Sequence, residues 1–271
     1  ARAHWPAHWQ QNTARDRHRD FGGDYSSTKI SRRGNPRAYR RPCLSFCLSP
    51  CLILGSCTLS KSNPRIGAVL LGAGFARRFG SDKRLAPLGS STVAETTLAL
   101  YANVFDDLRL VVREEDAALA KLAAPYANLI KTDKAHLGMG HSLAAGFKDL
   151  QWQWAFVGLL DMPFVQEATL KILKQHAALT DKTIIRPRMQ QSKDDASVKA
   201  APHGHPIGFH ETVFDEVAMA QGDAGARDLL RSHSHQIEDV LVGDGGIVQD
   251  IDQPDDLALG QGKISPRRQL E

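Results

Sequence analysis

The sequence predicts an α/β fold in which a mostly parallel sheet carries helices on both faces, giving three layers. Two short, continuous apolar runs, Ile66–Leu71 and Ala155–Leu160, are typical of strands buried in a parallel sheet. Segments with apolar residues at helical spacing alternate with further strand-like runs, and the connections between them are short. This alternation favours parallel strands joined by helical crossovers.

The predicted elements follow one another in a regular order. After the strand Ile66–Leu71 come, in chain order, a helix over Val93–Tyr101, a strand over Leu108–Val112, a helix over Asp116–Ala124, a strand over Asn128–Lys131, a helix over Ser142–Leu150, the strand Ala155–Leu160, a helix over Glu167–Ala178 and a short strand over Ile207–Phe209. The polar stretch Met189–Ala201 predicts an exposed loop near the ligand-binding face. Ligands of such sheets bind at the carboxyl ends of the strands. The most unusual sequence segments, a glycine-rich basic turn and an Asp-Met-Pro segment, follow two of those ends, after Leu71 and Leu160.

Composition divides the chain into a basic leading segment and a mildly acidic body. Residues 1–64 hold eleven of the 34 Lys and Arg and three of the 30 Asp and Glu. We expect residues 1–64 to be a disordered or non-native extension, residues 65–260 to form the domain, and residues 261–271 to be a tail. The acidic body offers no general argument for nucleic-acid binding.

The leading segment also holds all four cysteines, Cys43, Cys47, Cys51 and Cys57. Its apolar stretch over residues 43–59 follows basic residues, which leaves a signal peptide open as an alternative. The stretch is short and contains Pro50, so a transmembrane helix fits poorly. The cysteine spacing matches no usual zinc or iron–sulfur pattern. A body without cysteine is compatible with a reducing compartment, and we expect a cytoplasmic protein without a membrane partner.

A glycine-rich turn with cationic side chains follows the first strand, over residues 72–83. Glycines let backbone N–H groups approach phosphates closely, and Arg78 and Lys83 can neutralise charge that develops there. The turn fits neither the dinucleotide fingerprint nor the P-loop. Taken alone, it is explained equally well as a tight turn with exposed basic residues.

This turn resembles the L-A-A-G-x-S-x-R-M-G-x-x-K segment of the MobA-like nucleotidyltransferases, especially the molybdenum cofactor cytidylyltransferases. Three positions depart from it, since Gly72 replaces Ala, Ala76 replaces Ser and Phe79 replaces Met. The resemblance implies a Rossmann-like, GT-A-type nucleotidyltransferase fold. It also implies nucleotide binding by Leu71, Gly72, Ala73, Gly74, Arg78 and Lys83.

Two further segments resemble the nucleotide and metal sites of that family. Residues 138–143, Gly-Met-Gly-His-Ser-Leu, resemble G-M-G-x-S-L, which implies nucleotide binding by Gly140 and Ser142. Ser142 is also a natural helix cap. Asp161-Met162-Pro163 resembles G-D-M-P with Leu160 in place of the glycine, and a carboxylate after a buried strand is well placed to bind Mg2+. The alternative for Asp161 is a cap of the following turn.

The last three resemblances concern the acceptor and the metal. Residues 204–206 match G-H-P, which implies an acceptor-side role for His205, although a structural histidine remains an alternative. Residues 222–227 resemble G-D-x-G-A-R, which implies that Arg227 faces the acceptor phosphate and leaves Asp223 as a helix cap. Residues 250–257 resemble D-I-D-T-P-E-D-L, where Asp252 is expected to complete the metal site. Asp250 is the alternative ligand, and an N-cap the alternative role for Asp252.

Together these resemblances imply transfer of CMP from CTP to molybdopterin, as the molybdenum cofactor, with release of pyrophosphate. Arg78, Lys83 and Asp161 are the expected catalytic residues, and Asp161 and Asp252 the expected Mg2+ ligands. The implied partners are CTP or another NTP, the molybdenum cofactor, and a molybdoenzyme or its maturation chaperone. Two alternatives stay open: a guanylyl- or other NTP transferase with a different phosphorylated acceptor, and a non-catalytic nucleotide- or pterin-binding accessory protein.

Overall fold

In the computed structural model, residues 65–74, 79–190, 201–223 and 225–260 are described. Their strands are β1 (Ile66–Leu71), β2 (Pro87–Leu88), β3 (Ser91–Thr92), β4 (Asp107–Arg113), β5 (Asn128–Thr132), β6 (Trp154–Leu159), β7 (Ile184–Met189), β8 (Ile207–His210) and β9 (Ile237–Val242). Their helices are α1 (Val93–Ala102), α2 (Ala117–Ala123), α3 (Met139–Phe147), α4 (Glu167–Ala177), α5 (Phe214–Ala218), α6 (Gly225–Ser232) and α7 (Pro254–Gly260).

Seven strands form the main sheet, in the order β5-β4-β1-β6-β8-β7-β9. The pairs β5–β4, β4–β1 and β1–β6 are parallel, whereas β8 runs antiparallel to both of its neighbours, β6 and β7. Since β6 and β7 are both antiparallel to β8, they run in the same direction, and β9 is parallel to β7. The predicted α/β class with a mostly parallel sheet is therefore confirmed.

The core consists of one apolar cluster on each face of this sheet. Leu98 of α1, Leu119 of α2 and Leu170 of α4 belong to one cluster, together with the side chains of Ala68 and Leu70. Val69, which lies between these two residues on β1, belongs to the other cluster, with residues of α3, α5 and α6. Side chains alternate between the faces of a strand, so the continuous apolar run of β1 serves both layers.

Most predicted elements have the observed bounds to within one or two residues, but α3 does not. It was expected over Ser142–Leu150 and instead begins at Met139 and ends at Phe147. Ser142 therefore lies inside the helix, is buried, and is not its cap. The start of α3 is fixed by a tertiary contact, because the Gly140 N–H donates to the Gly222 carbonyl over 2.7 Å.

The two ends of the exposed loop predicted over Met189–Ala201 differ from the expectation, since Ala201 is buried. Met189 still belongs to β7, and its N–H donates to the Pro202 carbonyl over 3.0 Å. Arg188 and His203 form an antiparallel bridge, so backbone pairing continues on both sides of the loop. The expectations for residues 1–64, for Arg78, for residues 191–200 and for residues 261–271 fall outside the described residues. Within the described part of the chain, no helix has the length and apolar character needed to cross a membrane.

Candidate active site

Residues 72–74 follow β1 at the carboxyl edge of the sheet, and we call them the cradle. The Gly72 N–H donates to the Val111 carbonyl over 2.9 Å, which extends the pairing of β1 with β4 by one residue. Ala73 is buried, whereas Gly74 is exposed. At Gly74, a Cβ atom would meet no other atom within 4 Å. In the part of the chain that the structure describes, no side chain therefore occupies the space beside Gly74.

Two departures from the MobA-like segments explain each other. A Cβ on Gly72 would lie 2.8 Å from the Leu160 Cδ2 atom, so the leucine side chain or the backbone would have to shift. The family segments carry Ala at the first position and Gly at the second, whereas this chain has Gly72 and Leu160. The bulk that the chain loses at residue 72 is therefore taken up by Leu160, whose side chain is fully buried.

Lys83 joins two of the predicted carboxylates at this edge. It begins a 3-10 turn over Lys83–Leu85, and its Nζ atom lies 2.6 Å from Asp161 Oδ2 and 2.9 Å from Asp252 Oδ1. Asp161 follows β6, and Asp252 lies just before α7. The Ile251 N–H donates to the Asp161 carbonyl over 3.0 Å, which fixes the two segments against each other.

Asp250 is the third carboxylate of the cluster. Among the described residues, Asp161, Asp250 and Asp252 form the one group of three side chains that can offer ligand atoms within 4.8 Å of one another. Burial raises the pKa of Asp250 to about 6, and the charges of Asp252 and Asp161 add to this effect. Burial opposes the charge of Lys83, but Asp161 and Asp252 outweigh it, so the pKa of Lys83 is raised.

Arg84 is a residue of this region that the sequence patterns did not single out. Its side chain is buried and its Nη1 atom donates to the carbonyl of Gly72, in the cradle after β1. Two further hydrogen bonds of 2.6 and 2.7 Å reach the carboxylate of Asp116, and two of 2.8 and 2.7 Å reach that of Asp82. Burial opposes the charge, but these two carboxylates raise the pKa of Arg84. A guanidinium held in this way fixes the ends of the turn between Gly72 and Lys83.

The segments around Gly140 and Gly222 form one structural unit. A Cβ on Gly140 would lie 2.7 Å from the Gly222 carbonyl oxygen, so only glycine allows the two backbones to meet there. The Met139 N–H, the first of α3, donates to Asp223 Oδ1 over 3.4 Å. Asp223 thus contributes to the start of α3, a contact that its own sequence neighbourhood did not indicate.

The residues expected to face the acceptor lie on two different elements. His205, which is half-buried and forms a cis peptide bond with Pro206, has its Nδ1 atom 3.4 Å from the Val157 carbonyl oxygen of β6. Burial lowers the pKa of His205, against a smaller opposing effect of Asp161. Arg227 lies half-buried in the first turn of α6. His203 is paired with Asp239 and joins no described metal cluster.

The sequence profile of the MobA-like NTP transferase domain matches residues 68–237, which include most of β1, the cradle after it, Asp161 and the segments around Gly140 and His205. The chain belongs to this family. As a MobA-like transferase it is a nucleotidyltransferase with an α/β sheet, as the sequence predicts. The match ends before Asp250 and Asp252, so these two carboxylates rest on the resemblance of residues 250–257 and on their distances from Asp161.

This chain aligns with nearly the whole length of individual relatives. The purine catabolism protein PucB of Bacillus subtilis is 28% identical over 216 residues, which are 75% of this chain and 99% of that protein. The crystal structure of Rv0371c from Mycobacterium tuberculosis is 27% identical with a TM-score of 0.61, covering 72% of this chain and 96% of its own. A structure of Rv0371c in complex with manganese is 26% identical with a TM-score of 0.58, covering 74% of this chain and 100% of its own.

Proposed function

We propose that this MobA-like transferase moves CMP from CTP to the molybdenum cofactor and releases pyrophosphate. The observation that carries the proposal is the position of Lys83, whose ammonium lies between Asp161 and Asp252 at the edge of the cradle. A cation and paired carboxylates beside a glycine-rich turn suit a polyphosphate bound together with a divalent ion.

The three carboxylates fit Mg2+ by their chemistry. Hard cations take oxygen ligands, and Asp161, Asp250 and Asp252 bring carboxylate oxygens within 4.8 Å of one another. That the similar protein Rv0371c was crystallised with manganese supports this assignment. Asp161 and Asp252 would hold the ion, with Asp250 as a further ligand, and the ion would neutralise charge on the triphosphate. Lys83 would then exchange its carboxylate partners for phosphate oxygens.

In the proposed reaction, a phosphate oxygen of the acceptor forms a bond to the α-phosphorus of CTP. The bond from that phosphorus to the bridging oxygen breaks, and pyrophosphate leaves with the electron pair. The attacking oxygen is already ionised at neutral pH, so no general base is needed. Lys83 and Arg78 stabilise the charge on the transferring and leaving phosphates, while Gly72, Gly74 and Gly140 allow the close backbone approach. His205 and Arg227 orient the acceptor.

Pyrophosphate release tests the proposal directly. The protein is supplied with Mg2+, the molybdenum cofactor and each of the four NTPs in turn, and Asp161→Asn is compared with Asp181→Asn, a change at an exposed residue after α4. We expect release with CTP, a loss of about a hundredfold to a thousandfold in Asp161→Asn, and no change in the Asp181 variant.

Other outcomes redirect the proposal in defined ways. Release with GTP in place of CTP would keep the site and change the donor. A folded protein that binds CTP without releasing pyrophosphate in the presence of the molybdenum cofactor would contradict this acceptor and favour the accessory-protein alternative. Activity that survives in Asp161→Asn would remove Asp161 from the catalytic machinery.

A further inference from the structure

A second group of cationic side chains lies at the carboxyl end of β7, apart from the carboxylate cluster. Arg186 and Arg188 are two residues apart on β7, so their side chains point to the same face of the sheet. His203 bridges to Arg188 and shares that face. On β9, Asp239 lies opposite Arg186 and accepts hydrogen bonds of 2.9 Å from Arg186 and 3.0 Å from His203. We call Arg186, Arg188 and His203 the β7 cationic cluster.

The β7 cationic cluster carries more positive charge than its own carboxylate can balance. The cluster contains two guanidinium groups and an imidazole, and among the described residues Asp239 is the carboxylate that pairs with Arg186 and His203. Burial lowers the pKa of His203, and the charges of Arg186 and Arg188 act in the same direction, against Asp239. The Arg188 Nε atom is shielded from solvent and has no hydrogen-bond partner among the described residues. Such a donor is costly unless a ligand satisfies it.

The register of the sheet places this cluster beside the reaction centre. Ile207 of β8 pairs with Val157 of β6, and its neighbour Gly208 pairs with Ile185, so Arg186 lies level with Val157. β7 is two strands away from β6, which is about 10 Å at the usual strand spacing. His205 spans part of this distance, because its Nδ1 atom approaches the Val157 carbonyl. The cluster faces the same side of the sheet as α6, the helix that carries Arg227.

We propose that the β7 cationic cluster binds an anionic group of the acceptor, a phosphate or a carboxylate. The inference rests on the proposed nucleotidyl transfer and names the part of the same site that recognises the acceptor. An arginine fork donates two parallel hydrogen bonds to such a group, which a lysine does not reproduce. In this arrangement Arg188 is the principal anion ligand, and Asp239 holds Arg186 and His203 in place.

Inorganic phosphate is the probe for this subsite. It is titrated calorimetrically at low ionic strength into protein saturated with Mg2+ and the α,β-methylene analogue of CTP, which fills the nucleotide site and cannot transfer CMP. Arg188→Met is compared with Arg188→Lys and with Arg231→Met, which makes the same change at an exposed position on α6. We expect about tenfold weaker phosphate binding in Arg188→Met, a smaller loss in Arg188→Lys, and none in Arg231→Met.

Two additional measurements separate this inference from a structural role and from the proposed function. Because Arg188 Nε has no partner to lose, Arg188→Met should melt at the same temperature as the wild-type protein or above it. Affinity for the CTP analogue should be unchanged in all variants. Phosphate binding that is absent in the wild-type protein, or equal in Arg188→Met, would overturn the subsite. Failure of the wild-type protein to bind the CTP analogue would instead count against the proposed function.

Discussion

Gly72 and Leu160 show how single residues of the site depend on each other. The missing Cβ of Gly72 makes room for the Leu160 side chain, which would otherwise lie 2.8 Å from it. Because protein interiors are close-packed, the overlap has to be relieved by movement of the cradle or of the leucine. Residue identity at one end of β1 is thus coupled to residue identity at the end of β6.

A double-mutant cycle measures this coupling. Gly72→Ala should destabilise the protein by about 1–3 kcal/mol through overpacking. Leu160→Ala should cost about 2–5 kcal/mol through loss of buried apolar volume. The double variant should be more stable than the sum of these losses predicts, because alanine at residue 160 leaves room for the new methyl group. The free energies of unfolding are measured in urea.

The control for this cycle is Gly74→Ala, two residues further along the cradle. A Cβ there meets no atom within 4 Å, so its free energy of unfolding should hardly change, although the affinity for CTP should fall. Strictly additive losses for Gly72→Ala and Leu160→Ala would show that the two residues are not coupled.

Asp250 makes the stability of the site depend on pH. Burial, with Asp252 and Asp161 nearby, raises the pKa of Asp250 in the folded protein to about 6, from the usual 3.8. The folded state therefore favours the protonated form of Asp250. The contribution of Asp250 to the free energy of unfolding is most favourable below pH 4 and is lost as the pH rises through 6. This pKa difference corresponds to at most about 3 kcal/mol of unfolding free energy, and screening by solvent reduces that value.

Asp250→Asn should accordingly stabilise the metal-free protein at pH 8 and have little effect near pH 4. The amide keeps the shape of the protonated side chain and removes the repulsion from Asp161 and Asp252. Melting temperatures in EDTA across this range, with Asp181→Asn as the control, check the expectation. A stabilisation that is the same at both pH values would contradict it.

At the scale of elements, the turn between β1 and the 3-10 turn at Lys83 depends on Arg84. This one buried side chain contacts Gly72, Asp82 and Asp116. Removing it leaves the carboxylate of Asp116 buried with fewer partners and frees the Gly72 carbonyl. The cradle and the turn that carries Lys83 should then no longer be held together by the Arg84 hydrogen bonds.

Arg84→Met should therefore lower the free energy of unfolding by about 3–5 kcal/mol and weaken CTP binding. Arg84→Lys should rescue little, since an ammonium cannot replace the fork that reaches both carboxylates. Arg113→Met provides the comparison, because Arg113 contacts the same Asp116 from a more exposed position and should cost less. Chemical unfolding and calorimetric titration of CTP are the two measurements. An Arg84→Met variant as stable as the wild-type protein would exclude the anchoring role.

An element could be predicted from the sequence where the pattern of its own residues determines it. β1 and β6 are continuous apolar runs because both faces of each strand are buried, and that pattern is visible in the sequence. β7 contains Pro187 and two arginines and lies near the sheet edge, so its pattern resembled no buried strand. β9 carries Glu238 and Asp239 and was missed for the same reason.

The same distinction holds for the site. Short segments that resemble the family pointed to Lys83 and Asp161, and the structure places their charged atoms 2.6 Å apart. Arg84 could not be predicted, because its structural role depends on an ion pair with Asp116, which lies 32 residues away in sequence. The start of α3 likewise depends on Gly222, a contact between distant segments, and a local rule placed it at Ser142 instead.

At the scale of the whole molecule, the topology brings distant segments to one edge of the sheet. The cradle after β1, Asp161 after β6 and Asp252 before α7 meet there, although they span about 180 residues. The parallel strands make this possible because their carboxyl ends share an edge. The parts of the site are therefore held in place by the sheet, and the boundaries of the folded unit matter for function.

A protein trimmed to residues 65–260 should keep the stability and activity of the full chain. The described residues of the two sheet clusters, and of a third, smaller apolar cluster that contains Phe164 and Ile251, lie between Ile66 and Leu257. Arg65 belongs to the unit, since its side chain binds Asp107 over 2.6 and 3.0 Å and its carbonyl accepts from the Gln153 and Trp154 N–H groups. A second protein that starts at Ala68 loses these contacts and the buried Ile66.

We expect the first protein to unfold at the same urea concentration as the full chain and to release pyrophosphate at the same rate. The second should unfold at a clearly lower concentration, because burying Ile66 alone contributes about 1.5–3 kcal/mol and the backbone hydrogen bonds of Arg65 add to it. If trimming to residue 65 were as damaging as trimming to residue 68, residues before 65 would have to contribute to the fold. Equal stability of all three proteins would instead mean that the amino end of β1 adds little to the sheet.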